Sequence, residues 1–133
     1  MKIEQSGARP SWKGEAANFS GGVWVDEIVA GEARVHLLRV TFLPGARTCW
    51  HSHPRGQVLH VLSGRGLAQV AGGAVQVILP GHTLRFDPGE LHWHGAAPHS
   101  TMVHLAMQET TAEGHEVDWG PLVSNAEYVD PQG

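Results

Sequence analysis

Residues 45–64 read GARTCWHSHPRGQVLHVLSG and residues 81–96 read GHTLRFDPGELHWHGA, and these two stretches decide the fold class. In each, short runs of β-branched, aromatic and histidine residues lie between turn signals: Pro44-Gly45, Pro54-Arg55-Gly56, Pro80-Gly81 and Pro88-Gly89. Proline presets the backbone for a turn and glycine accepts the left-handed conformation, so each pair reverses the chain. The same punctuation continues outward through Gly31-Glu32, Gly64-Arg65-Gly66 and Gly72-Gly73. It leaves β-rich runs at 24–29, 34–43, 47–53, 57–63, 66–71, 74–79, 82–86, 91–95 and 101–108. No helical period intervenes. The pattern predicts an all-β domain, either a sandwich or a small closed antiparallel barrel, in which pairing or closure protects the strand edges.

The flanks are polar. Residues 1–22 read as an N-terminal arm, with Trp12 and Phe19 as its tethers, ahead of a single barrel domain over 23–133. A C-terminal extension begins at about 109, and Ser124 to Tyr128 predicts one capped helical turn. A length of 133 residues suits one core, and 17 Gly with 8 Pro against 17% charged residues argues against a helical bundle. The net charge of -4, with no dense Lys/Arg cluster, argues against a nucleic-acid partner. No apolar run is long enough to span a bilayer, so no membrane partner is expected. The opening MKIEQSGARP lacks the apolar centre of a secretory signal, which points to a cytoplasmic location. Cys49 is the single cysteine, so any metal must be held by nitrogen and oxygen donors.

Histidine is the informative residue type, with ten copies. Side chains alternate along a strand, so His51 and His53 point the same way and can meet one ion. The following Pro-Arg-Gly turn returns Gln57 beside them, where its amide oxygen can act as a neutral ligand. His92 and His94 form a second pair of the same spacing. Three imidazoles from these two pairs and the amide oxygen of Gln57 are therefore the expected metal ligands. His94 is the candidate acid or base, or else a histidine that orients the site by hydrogen bonds. His104 shares a face with Met102, Ala106 and Gln108 and is a second base candidate if that face looks inward. Cys49 has the parity of His51 and is expected as an inert buried thiol. Trp50 and Trp93 take the opposite face as packing residues, His60 faces away, and His36, His82, His99 and His115 receive no role.

The motif Gly45, His51, His53, Gln57, Gly64, followed by Gly81, Gly89 and His92, resembles the cupin superfamily, with Gln57 where Glu is usual. The resemblance implies a small jelly-roll barrel with a metal in its mouth, held by His51, His53, Gln57 and His92. Replacing the usual Glu by Gln leaves a divalent ion its full +2 charge, which makes it a stronger Lewis acid. More narrowly, WHSHPRGQ, GGAV, PGELHWHGAAP and HLAMQE are similar to the manganese-dependent cupin hydroxynitrile lyases. That resemblance implies reversible cleavage of cyanohydrins such as mandelonitrile to aldehyde and HCN. It turns His104 inward as a functional base beside His94, and places Leu38, Val40 and Gln108 on the substrate pocket. The expected cofactor is a divalent metal, manganese by the resemblance, although iron, nickel or zinc also accept these residue types. Two further readings stand beside the lyase: a metal-dependent dioxygenase of a diketone or flavonol, and a non-catalytic cupin that binds a small ligand. A small-molecule substrate and a homodimer or homotetramer are the expected partners.

Overall fold

The computed structural model describes residues 1–30 and 34–133. Two antiparallel sheets curl around a common interior, and there is no helix among the described residues. The first sheet is ordered β1 (Ser11–Lys13), β3 (Val23–Val29), β4 (Val35–Phe42), β12 (Met102–Glu109), β7 (Gln57–Gly64) and β10 (Thr83–Phe86). The second runs β13 (Asp118–Trp119), β6 (His51–Ser52), β11 (His92–Ala96), β5 (Arg47–Thr48) and β2 (Phe19–Ser20). On the other edge of β11 lies β8 (Gly66–Val70), which pairs with β9 (Gln76–Ile78).

The expected strands recur within a residue or two, with one instructive exception. The run 47–53 divides into β5 and β6, because two intervening amides bond outside the sheet: Cys49 N–H donates to Asn18 O and Trp50 N–H to Pro121 O, each at 2.9 Å. The turn expected at Gly31-Glu32 lies outside the described residues. The segment 1–22 carries β1 and β2, which pair with this chain's own β3 and β5. The expected turn at 124–128 forms as a reciprocal cap: Glu127 N–H donates to Ser124 Oγ (3.1 Å), and Ser124 N–H donates to Glu127 Oε1 (2.9 Å).

Register explains which side chains meet inside, since directly opposed residues of an antiparallel pair project to one face. Trp12, Val25, Val40, His104 and Val61 form one such row across the first sheet. The main core gathers Val23, Val25, Phe42, Leu59, Val61 and Met102 from this sheet with Ala68, Ile78 and Ala96 from the other. Each fully buried aliphatic side chain contributes roughly 1.5–3 kcal/mol. A second cluster of Trp50, Leu67, Trp93, Ala97 and Val123 lies on the outer face of the histidine-bearing strand, beneath the C-terminal extension. Trp50 and Trp93 therefore do pack on the face opposite the histidines. Gly64 has φ +81°, and a Cβ there would overlap the Thr101 carbonyl, so β7 can run this close to the entry of β12 only with glycine.

Candidate metal centre

The second sheet aligns Trp119, His51 and His92 in one cross-strand row over β13, β6 and β11. His53 stands just past β6, and its carbonyl accepts from Gly56 N–H (3.0 Å) and Gly89 N–H (2.9 Å), closing the turn that reverses the chain. That reversal sets Gln57 at the start of β7, opposite Phe86 of β10. His51, His53 and His92 are buried and offer ligand nitrogens that lie within 4.8 Å of one another.

Each of the three rings is oriented by the same device. His51 Nδ1–H donates to Cys49 O (2.9 Å), His53 Nδ1–H to Glu116 O (2.7 Å) and His92 Nδ1–H to Glu90 O (2.8 Å). A carbonyl can only accept, so the proton is held on Nδ1 and the Nε2 lone pair is free for a metal. Burial first, then the neighbouring His92, pushes His51 well below the ordinary histidine range. Burial likewise lowers His53, and it lowers His92 to about 4. Neutral imidazoles result, as ligation requires.

The donor set asks for a cation. His92 Nε2 lies 3.0 Å from Gln57 Oε1, and with the His92 proton on Nδ1 both atoms present lone pairs. His53 Nε2 is buried and has no hydrogen-bond partner. Facing lone pairs and an orphaned acceptor are costly in a protein interior, and a divalent ion among them satisfies both. The residues present therefore fit a metal held by three imidazoles and one amide oxygen.

Beside this group His104 Nε2 and His94 Nδ1 share a hydrogen bond of 3.0 Å, and both rings are buried. His104 thus faces inward. Burial lowers His104 to about 4, and burial followed by the neighbouring His104 holds His94 well below its ordinary value. A neutral pair holds two ring protons over four nitrogens. One proton bridges the rings and one sits on an outer nitrogen, which leaves a lone pair on the other. Those outer atoms, His94 Nε2 and His104 Nδ1, are buried without partners. Phe42 packs against both rings, and Phe86 stacks on His92 at 3.6 Å between centroids.

Apart from His92 and Phe86, these groups line a cavity of about 260 Å³. His51, His53, Gln57, His94 and His104 are among its polar lining, while Val25, Leu38, Val40, Phe42 and Ala106 contribute to an apolar wall. Leu38, Val40 and Gln108 all line it, as do Trp12, Phe19 and Trp119 from the terminal strands. Cys49 is buried outside this lining, with its thiol donating to Ala17 O at 3.3 Å. His60 meets Thr83 on the outer surface (2.8 Å).

His36 and Glu116 escaped the sequence reading, and both line the cavity. His36 Nδ1–H donates to Glu116 Oε1 and Oε2 at 2.9 and 3.0 Å. Its Nε2 lies 3.0 Å from Glu27 Oε2, and Glu27 Oε1 accepts from Arg9 Nε at 2.9 Å. The Glu116 hydrogen bond is the main influence that raises His36, so an imidazolium bridges two carboxylates. Burial acts to raise the Glu116 carboxyl, but hydrogen bonds from His36 and then Gln108 outweigh it and the group is lowered. The spacing of His36 from the motif histidines carries no ligand signal, and Glu116 sits in a polar stretch with no motif.

A family profile described as the cupin domain matches residues 38–107. The chain is a cupin. It is 48% identical over 130 residues to a Granulicella tundricola protein named (R)-mandelonitrile lyase, covering 96% of this cupin and 98% of that protein. The crystal structure of a cupin-like protein from Thermotoga maritima superposes with a TM-score of 0.83 at 36% identity, covering 94% and 95% of the two chains. The polyketide cyclase RemF of Streptomyces resistomycificus shares the fold, with a TM-score of 0.74 at 18% identity over 96% and 90% of the chains. Cupin architecture thus supports different chemistries, and function must be argued from the site.

Proposed function

We propose that this cupin is a divalent-metal-dependent hydroxynitrile lyase, which reversibly cleaves cyanohydrins such as mandelonitrile to an aldehyde and HCN, with manganese as the metal. The observation that carries this choice among cupin reactions is the near full-length likeness to the protein named (R)-mandelonitrile lyase. Its machinery is the neutral His94–His104 pair beside the three-imidazole group, facing an apolar wall.

The free outer nitrogen of the pair takes the hydroxyl proton of the cyanohydrin. As the oxygen's electrons form the carbonyl, the bond to the nitrile carbon breaks and its electron pair leaves with cyanide. The imidazolium so formed then returns a proton to cyanide, releasing HCN and restoring the neutral pair. A bound divalent ion supplies positive charge that stabilises the anion developing in this step. Val25, Leu38, Val40, Phe42 and Ala106 exclude water, which strengthens every charge interaction within. Gln108 offers the substrate a polar contact on the wall that carries Leu38 and Ala106.

The test is mandelonitrile cleavage by metal-loaded protein, with cyanide and dissolved dioxygen followed together. Cyanide release without dioxygen uptake is expected. Stoichiometric dioxygen consumption with a diketone or flavonol would replace the lyase with an oxygenase, and tight ligand binding without turnover would leave a binding protein. The reading includes a cytoplasmic location and a homodimer or homotetramer, the latter supported by exposed Trp24, Leu62 and Met107 on strands of the six-stranded sheet. Light scattering that returned a 14.3 kDa particle would remove the oligomer.

A further inference from the structure

A primary amide has one end that donates and one that accepts, so an amide beside a metal ligates only when it is turned the right way. Two amides stand in series here. Gln57 Nε2–H donates to Gln108 Oε1 at 3.3 Å, while Gln57 Oε1 faces His92 Nε2 at 3.0 Å. Either amide could be rotated by half a turn with little change in shape, so the direction of the series is set by whatever stands at its end. Gln108 lies directly opposite His36 in the β4–β12 register and lines the same cavity wall as the Glu116 carboxylate that His36 holds, so its amide stands beside a group that can only accept. The carboxylate is itself held in place by His36, which donates to both of its oxygens. With an obligate acceptor at that end, Gln108 turns its NH2 toward Glu116 and its oxygen toward Gln57. Gln57 then gives its NH2 to Gln108 and keeps its oxygen for the three histidines.

We propose that Glu116 is a positioning residue that sets the polarity of the Gln57–Gln108 amide relay and so commits the Gln57 oxygen, rather than its NH2, to the metal site. The inference rests on the reading of His51, His53, Gln57 and His92 as metal ligands and is independent of the reaction. It assigns His36 the task of anchoring the carboxylate. It also links the choice of Gln over the usual Glu at 57 to residues far away in sequence: a carboxylate ligand accepts at both ends and needs no such direction, whereas a carboxamide does.

Glu116→Gln turns the relay around. Where His36 remains an imidazolium paired with Glu27, its Nδ1–H still needs an acceptor, so the new amide points its oxygen at His36 and its NH2 at Gln108. Gln108 then presents oxygen to that NH2 and its own NH2 to Gln57, and the Gln57 NH2 swings toward the metal site. In the Gln57→Glu background the same reversal aims the Gln108 NH2 at the new carboxylate, which is favourable.

The experiment is a four-variant cycle (wild type, E116Q, Q57E and E116Q/Q57E) on the full chain, with Mn2+ affinity read by calorimetry and the bound ion's environment by electron paramagnetic resonance. In the wild-type background E116Q is expected to weaken Mn2+ about 10- to 100-fold, the usual range for groups that orient a ligand. In the Q57E background it is expected to cause no weakening. Gln108→Met interrupts the relay without changing charge or the 110–117 backbone and is expected to show the same background dependence. An equal loss in both backgrounds would overturn the proposal, because Glu116 would then act through charge or through the carbonyl that holds His53. An unchanged affinity in the wild-type background would overturn it too. Failure of wild type to bind Mn2+ or another divalent ion would remove the metal-site reading itself, a result distinct from either of these.

Discussion

At the scale of single residues, His53 joins more of the site than any other side chain. Its Nδ1 is fixed by the Glu116 carbonyl, its Nε2 is an unpartnered buried acceptor, and its own carbonyl closes the turn that delivers Gln57. His53→Ala is expected to leave protein that retains no divalent metal, as measured by elemental analysis after purification without an affinity tag. His104 stands apart from that set. His104→Ala is expected to keep the metal while cyanide release from mandelonitrile falls by about 10²- to 10⁴-fold, the usual share of general acid–base catalysis. Full activity in that variant would take His104 out of the mechanism. The H-x-H spacing already put His51 and His53 on one face, because strand parity is local. Whether His104 looked in or out depended on which face of β12 met the interior, and that is settled by its register with Val40 and Val61.

At the scale of elements, the glycines of the motif separate into two kinds. Gly45 has φ +81° with nothing within 4 Å of a Cβ built on it, whereas Gly64 has the same φ and its Cβ would overlap backbone. Gly45→Ala is therefore expected to cost only the left-handed penalty of roughly 1–2 kcal/mol. Gly64→Ala adds the strain of forcing β7 and β12 apart, typically about 1–3 kcal/mol more. Urea unfolding of the two variants checks the order, and equal midpoints would contradict the close approach. The division of 47–53 into β5 and β6 belongs to this scale as well. Propensity continues unbroken through Cys49 and Trp50, but their amides find acceptors in Asn18 and Pro121, which no local pattern announces.

For the whole molecule, the cost of the site appears as a dependence on acid. Burial depresses His51, His53, His92, His94 and His104 in the fold, with His92 and His104 held at about 4. Between about pH 4 and the ordinary histidine value near 6.5, the unfolded chain binds more protons than the folded one. Stability therefore rises with pH across that window and falls on acidification, by on the order of 3 kcal/mol for one group displaced that far. His36 acts in the opposite sense: raised by Glu116, it stabilises most below the ordinary histidine value, and its contribution is lost as pH rises through its folded value. With five depressed histidines against this one, the urea midpoint of metal-free protein is expected to drop between pH 7 and pH 4.5. A midpoint that rose instead would show the buried rings to be charged in the fold. Bound metal, which requires neutral rings, is expected to steepen the dependence.

The sequence by itself determined the all-β class, the turns at Pro44-Gly45, Pro54-Arg55-Gly56, Pro80-Gly81 and Pro88-Gly89, the facing pair His51 and His53 and the return of Gln57. Each of these follows from two-residue alternation and from turn chemistry that acts over a few residues. Only the tertiary structure decided that His94 bonds His104, that Trp119 lies over His51 and that Glu116 stands at the end of the Gln57–Gln108 relay. Those contacts join residues brought together by sheet register and by the path of the C-terminal extension across the barrel. Register is the outcome of burying many side chains at once, so no short stretch of sequence carries it.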